Sequence, residues 1–180
     1  MAPCSGLHRD GPLRRAAAFW RYFGSVPSYY RDPEASEPNR PIKVGVCFIV
    51  EIDGGVLIDR RRDDGSWAFT GGALEDGESV EEAPARELFE AIGLEVGRAA
   101  PLGVFSEPSR IVAYPDGSVY RVLSLAFVVT PRQGKKPRAS DESLELSVVS
   151  SEQLRELSFW PAHRPIRDTY LSFDGNVVVE

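Results

Sequence analysis

Residues 72–94 read GALEDGESVEEAPARELFEAIGL, and the reading of the whole chain turns on this stretch. Ser79 followed three residues later by Glu82 is a capping-box pattern. Gly93 supplies a C-terminal stop, so a helix is predicted over residues 79–92. Pro84 lacks a backbone donor and conflicts mildly with the first turn. On such a helix Glu87 and Glu90 are three apart and share a face. Val80 and Leu88 fall on a neighbouring apolar stripe that would pack on a sheet. Glu75 and Glu78 lie on the acidic, Gly-rich loop 71–78 that feeds the helix. Clustered carboxylates need a cation or a proton to be tolerated. Oxygen ligands of this kind suit Mg²⁺ or Mn²⁺. Carboxylate spacing alone, however, is better read as a solvated acidic helix face.

Outward from this stretch the pattern is mostly strand. Residues 43–52 are apolar and β-branched, and 55–60 continue after Asp53-Gly54-Gly55, a hairpin signal. Beyond Gly93, residues 94–106 and 118–130 read as strands, with a turn at Tyr114-Pro115-Asp116-Gly117. A basic loop spans 132–141, a last strand 144–149, and helices are expected over 151–157 and 161–173. This order predicts an α+β fold, an α/β/α sandwich built on a mixed sheet with one central helix.

The chain has 180 residues, 42% hydrophobic and 27% charged, which fits one globular domain with a sizeable core. Its net charge of -6 argues against broad binding to nucleic acid or to an anionic membrane. A phosphorylated small molecule stays compatible, because a bound cation inverts the local field. The two cysteines, Cys4 and Cys47, suggest no disulfide scaffold, and Cys47 reads as a buried thiol. No run is long and apolar enough to span a bilayer, and a cytoplasmic location is the default expectation. Residues 1–41 differ in composition and form an expected N-terminal extension to a domain over 42–180. Residues 13–23 read as a short helix and 28–41 as a Pro-containing arm. Its aromatics (Trp20, Tyr22, Phe23, Tyr29 and Tyr30) fit an arm packed on the domain; a homodimer contact or a ligand lid is the alternative.

The stretch 72–94 resembles the Nudix box, G-x5-E-x7-R-E-U-x-E-E-x-G-U, with U aliphatic. Eight of its nine fixed positions match in order, from Gly72 and Glu78 through Arg86-Glu87-Leu88 to Gly93-Leu94. The resemblance extends from about Lys43 to about Phe173. Phe105-Ser106-Glu107, Tyr114–Gly117 and residues 141–146 weakly resemble a bacterial subgroup acting on ADP-ribose-like compounds. The resemblance implies a Mg²⁺- or Mn²⁺-dependent hydrolase that cleaves the phosphoanhydride of a nucleoside diphosphate linked to another moiety, with ADP-ribose or a nucleotide sugar favoured. It implies Glu87 as the central metal ligand, Glu90 as a second, Glu78 near the metal or its waters, and the Gly72 carbonyl as a further ligand. Arg86 would orient Glu87. Glu142 is the candidate general base, with Asp141 and Glu145 as rivals.

Three positions depart from the family pattern. Ala91 replaces the second Glu of the Glu-Glu pair, Thr70 a proline, and Ile92 a common threonine. Ala91 leaves one carboxylate fewer, and a weakened domain that binds a nucleotide derivative without turnover is the competing function. For substrate, Arg62, Trp67, Phe105 and Arg121 head the candidates, followed by Arg110, Arg132, Tyr114 and Tyr120. For any one of these, a sheet or solvated surface residue is the simpler reading.

Overall fold

The computed structural model describes residues 26–180. The expected helix 13–23 and the aromatics Trp20, Tyr22 and Phe23 lie outside the described residues. Ten strands and three α-helices follow: β1 (Ser28–Tyr29), β2 (Lys43–Ile52), β3 (Gly55–Arg61), β4 (Trp67–Ala68), β5 (Thr70–Ala73), α1 (Ala83–Ile92), β6 (Val96–Phe105), β7 (Ile111–Ala113), β8 (Val119–Pro131), β9 (Ser143–Val149), α2 (Ser151–Glu156), α3 (Arg164–Leu171) and β10 (Val178–Val179). A 3₁₀ turn, Pro161–His163, leads into α3.

The sheet is mixed. Parallel β2 and β8 form its spine, from Lys43 opposite Val122 to Val50 opposite Val129. The β2–β3 hairpin turns on Asp53 and Gly54, at φ 52° and 77°. Positive φ at both turn positions is what a two-residue hairpin of this hand demands, and Asp-Gly supplies it. Along β2, residues 46–50 are all buried, as expected of a strand covered on both faces. Val46, Phe48 and Val50 face α1, meeting Leu88, Ile92 and Leu94. Cys47 and Ile49 face the other way, into a core with Leu154, Phe159 and Ile166. Glu87 projects from a helix anchored by Leu88 and Ile92, which fixes the place of the box against β5.

The structure corrects three boundaries. The α-helix begins at Ala83, four residues later than the capping pattern suggested. The Ser79–Glu82 exchange exists, with Glu82 N–H donating to Ser79 Oγ (3.3 Å) and Ser79 N–H to Glu82 Oε2 (3.0 Å). It closes a separate turn, and Pro84 occupies the first helical turn that follows. The Gly-rich loop is strand at its start, since β5 pairs with β2. The C-terminal helix is split into the 3₁₀ turn and α3. Gly93 ends α1 as read, at φ 73° with its N–H on Phe89 O. Thr70, where the family pattern has proline, is a buried β5 residue whose hydroxyl has no hydrogen-bond partner among the described residues.

β1 pairs with β7, and Ala162 N–H donates to Ser28 Oγ, so residues 26–29 are packed against the sheet and the 3₁₀ turn. Among the described residues no helix is long and apolar enough to cross a membrane.

Candidate active site

Arg86 stands at the centre of the carboxylate cluster. Its Nε and Nη2 grip Glu78 Oε1 and Oε2 at 2.6 and 2.7 Å, the two-pronged pairing that guanidinium geometry favours. Nη1 reaches Glu87 Oε1 (2.9 Å) and Glu90 Oε2 (3.2 Å), and Nη2 also donates to Ala73 O. Glu75 lies 3.8 Å away. One cation thus gathers the loop and helix acids at one end of β5. The hydrogen bonds from Arg86 hold the Glu78 carboxyl below its ordinary pKa. Glu87 goes the other way: burial raises it, and Arg86 only partly offsets this.

Gly72 lets the Glu87 carboxylate approach the strand closely. A Cβ on it would overlap the Glu87 carboxylate, so the strand backbone and that carboxylate lie face to face. No three acids, histidines or cysteines among the described residues form a ready-made metal cage. The donor set nevertheless fits a hard cation. Glu87 and Glu90 each give Arg86 one oxygen, and the other takes no hydrogen bond among the described residues. Ala91 packs its methyl against the apolar cluster under α1.

Glu142 sits on a loop held from two sides. Arg62 donates from Nε to Asp141 O (2.8 Å) and from Nη2 to Ser143 O (2.9 Å), and its N–H donates to Glu142 O. On the other side Arg138 N–H donates to Ile92 O at the end of α1, and Lys135 lies over the Phe89 ring. The Glu142 residue is exposed as a whole, yet its carboxyl is partly shielded. That desolvation raises its pKa against the pull of Arg61, with Glu87, Asp59 and Asp63 adding repulsion. Glu142 therefore shares an electrostatic neighbourhood with Glu87.

Across β5 a cavity of about 110 Å³ opens beside Gly72, lined among others by Lys43, Arg61, Arg110, Tyr114, Trp160 and His163. Arg61 stacks over the Trp160 ring at 4.4 Å, and Lys43 Nζ lies 4.6 Å from the Tyr114 ring centre. The first-named substrate candidates stand elsewhere. Phe105 is fully buried in the core and has no face to offer a base. Arg62 is engaged by loop carbonyls, Arg121 by Ser106 O (2.7 Å), and Trp67 packs on the core beside Phe159. Arg132 is a surface partner of Glu95. Of the wider set, Arg110 and Tyr114 do line the cavity. Lys43, Arg61, Trp160 and His163 were not singled out from sequence. No alternation along β3 marks Arg61, because Val56–Ile58 are buried in succession and the register shifts between Arg60 and Arg61, and nothing local marks Trp160, Ala162 or His163.

His163 carries a prediction. Burial, aided by Arg110 and Arg61, drops its pKa well below the ordinary 6.5, so the folded protein holds it neutral. Below pH about 6.5 the unfolded chain takes up a proton that the folded chain refuses, so stability falls on acidification. The slope contributed by this group approaches about 1.4 kcal/mol per pH unit. His163→Phe is expected to flatten the decline between pH 6.5 and 5.5 in denaturant melts. An equally steep decline in the variant would refute the assignment.

The family profile of the NUDIX domain matches residues 39–170. The chain belongs to the Nudix family. An ADP-ribose pyrophosphatase of Methanocaldococcus jannaschii is 34% identical over 119 residues, 64% of this chain and 66% of that protein. The chain thus spans just under two thirds of that relative's length. A nucleoside triphosphatase NudI of Enterobacter sp. (strain 638) is 28% identical over 127 residues, covering 66% of this chain and 89% of the relative. Among solved structures, a MutT described for Aliivibrio salmonicida and Vibrio cholerae superposes with a TM-score of 0.59 at 26% identity, over 74% of this chain and 98% of that one. The Bacillus halodurans MutT gives 0.63 at 24% identity, over 77% and 87%. The α+β Nudix fold read from residues 72–94 is therefore the fold of this chain.

Proposed function

We propose that this Nudix domain is a divalent-metal-dependent hydrolase of a nucleoside diphosphate linked to a second moiety. ADP-ribose and nucleotide sugars are the leading substrates. The observation that carries the reading is the convergence of Glu78, Glu87 and Glu90 on Arg86 beside Gly72, across one strand from a cation-lined cavity. Glu87, Glu90, Glu78 and the Gly72 carbonyl would hold Mg²⁺ or Mn²⁺. When bound, such an ion neutralises phosphate charge and lowers the pKa of water.

The chain's own residues would do the rest. Arg86 orients Glu87 and Glu90, and the cavity's cations attract the anionic substrate. Glu142, with its raised pKa and its loop clamped by Arg62, would accept a proton from the attacking water. The names of the relatives support both a diphosphate and a triphosphate substrate.

The test is a panel of ADP-ribose, nucleotide sugars, dinucleoside polyphosphates and nucleoside triphosphates, assayed with Mg²⁺ and then Mn²⁺. Metal-dependent product that disappears in Glu87→Gln supports the reading. Ligand binding with no turnover favours the second reading, a nucleotide-binding domain weakened at Ala91. That reading rests on Ala91 taking the place of the second Glu of the box pattern, with its methyl packed against the apolar cluster under α1. If so, Ala91→Glu should tighten Mg²⁺ binding by about tenfold in calorimetry. Unchanged affinity would remove Ala91 as the cause.

A further inference from the structure

β9 is an edge strand. It pairs along one side with β3, and no strand among the described residues pairs with its other side. Its sequence, SLELSVV, contains neither Lys nor Pro, two residues that commonly blunt an open edge. The register on β3 shifts between Arg60 and Arg61, so the ladder is irregular only at the Ser143 end, and residues 145–149 pair in step. Leu144 and Val148 are 48% and 41% exposed, while Leu146 packs against the cluster under α1. An open backbone edge and apolar side chains therefore lie together.

An open edge binds an added strand through main-chain hydrogen bonds, and the side chains select which strand. Residues 144–148 read Leu-Glu-Leu-Ser-Val, apolar and polar in alternation and much the same in either direction. A two-fold axis perpendicular to the sheet brings a second copy of β9 alongside, antiparallel and with its apolar residues on the same face. Centred on Leu146, this pairing sets Leu146 against Leu146 of the second copy and Glu145 against Ser147, and it brings Val148 to the Leu144 end. Centred on Glu145 it would set two carboxylates directly opposite each other, which is unfavourable. Glu145 is the only charge on the strand, and Arg60 of β3 lies 3.8 Å from it. The chain carries a net charge of -6, yet along this strip the charge is balanced, so two copies can approach here.

We infer that β9 is the contact of a symmetric dimer, in which two copies of this chain join edge to edge about Leu146 and their sheets become continuous. The occupant is a second copy because the strip complements itself in both polarity and charge.

The experiment is sedimentation of the full chain over a range of micromolar concentrations, where a reversible monomer–dimer equilibrium is expected. Ser147→Glu sets a carboxylate opposite Glu145 of the second copy, twice by symmetry, and should raise the dimer dissociation constant at least about tenfold. Ser147→Lys sets an ammonium there and should lower it by about threefold or more, a gain that misfolding cannot imitate. Val148→Lys charges the exposed edge and should weaken the dimer at least about tenfold. A monomer at every concentration overturns the proposal; it is the result expected if another protein, or residues 1–25 of the same chain, occupied the edge. A dimer that none of the three substitutions moves overturns it too, since the contact would lie on another surface. Equal weakening by Ser147→Glu and Ser147→Lys would overturn the pairing about Leu146.

Discussion

Glu87→Gln is expected to lower metal-dependent turnover by about 10³-fold or more, with the melting temperature within a few degrees of the parent. The amide keeps an oxygen for Arg86 Nη1, which lies 2.9 Å from Glu87 Oε1. It also keeps the shape that packs against Gly72. What it removes is the charge, on a carboxyl that burial already pushes up. Losing that charge therefore does not cost the fold, because the folded state was holding it against desolvation. Turnover and thermal melts measured on the same preparation separate the two effects. Full activity in a folded Glu87→Gln protein would sink the assignment of Glu87 as central ligand.

Arg86→Gln should do the converse, damaging the fold and the site together. Without the guanidinium, Glu78, Glu87 and Glu90 face one another with no cation between them. A fully buried ion pair broken on one side costs roughly 3–5 kcal/mol. This cluster is partly open to water, so a loss of about 2 kcal/mol is expected, or about 4–8 °C in melting temperature. Activity should fall about 10- to 100-fold, as when an orienting neighbour of a ligand is removed. Added Mg²⁺ should restore more stability to the variant than to the parent, since the ion would neutralise the stranded acids. A variant that melts with the parent, in Mg²⁺ or without it, would show that Arg86 is not the keystone of the cluster.

Helix, hairpin and strands were legible because they are local. The β-branched run 43–52, Asp53-Gly54 and Gly93 each carry their own conformational demand, and the structure meets all three. Boundaries failed where two local rules competed. Ser79 and Glu82 form their exchange, yet Pro84 shifts the helix start to Ala83. The acidic cluster was legible because spacing on one helix and its entering loop determines it. The cavity was not, because its wall comes from chain-distant pieces: Lys43, Arg61, Arg110, Trp160, Ala162 and His163 are brought together by the fold. Phe105 illustrates the same limit. Its place in strand β6 was foreseeable, but not which face of the strand it would turn to, and that face is the core.

The parallel pairing of β2 with β8 has a consequence for how the protein comes into being. Lys43 cannot meet Val122 until the whole box and β6 have been made. Contacts this distant along the chain close slowly, because loop entropy is lost before they reward it. During synthesis residues 72–94 emerge while β8 is still missing, so for that interval an acidic segment with an apolar stripe has half a sheet to dock on. A truncation ending before β8 should therefore leave the box in place in the sequence but unassembled in space, with Leu88 and Ile92 exposed to solvent and prone to self-association.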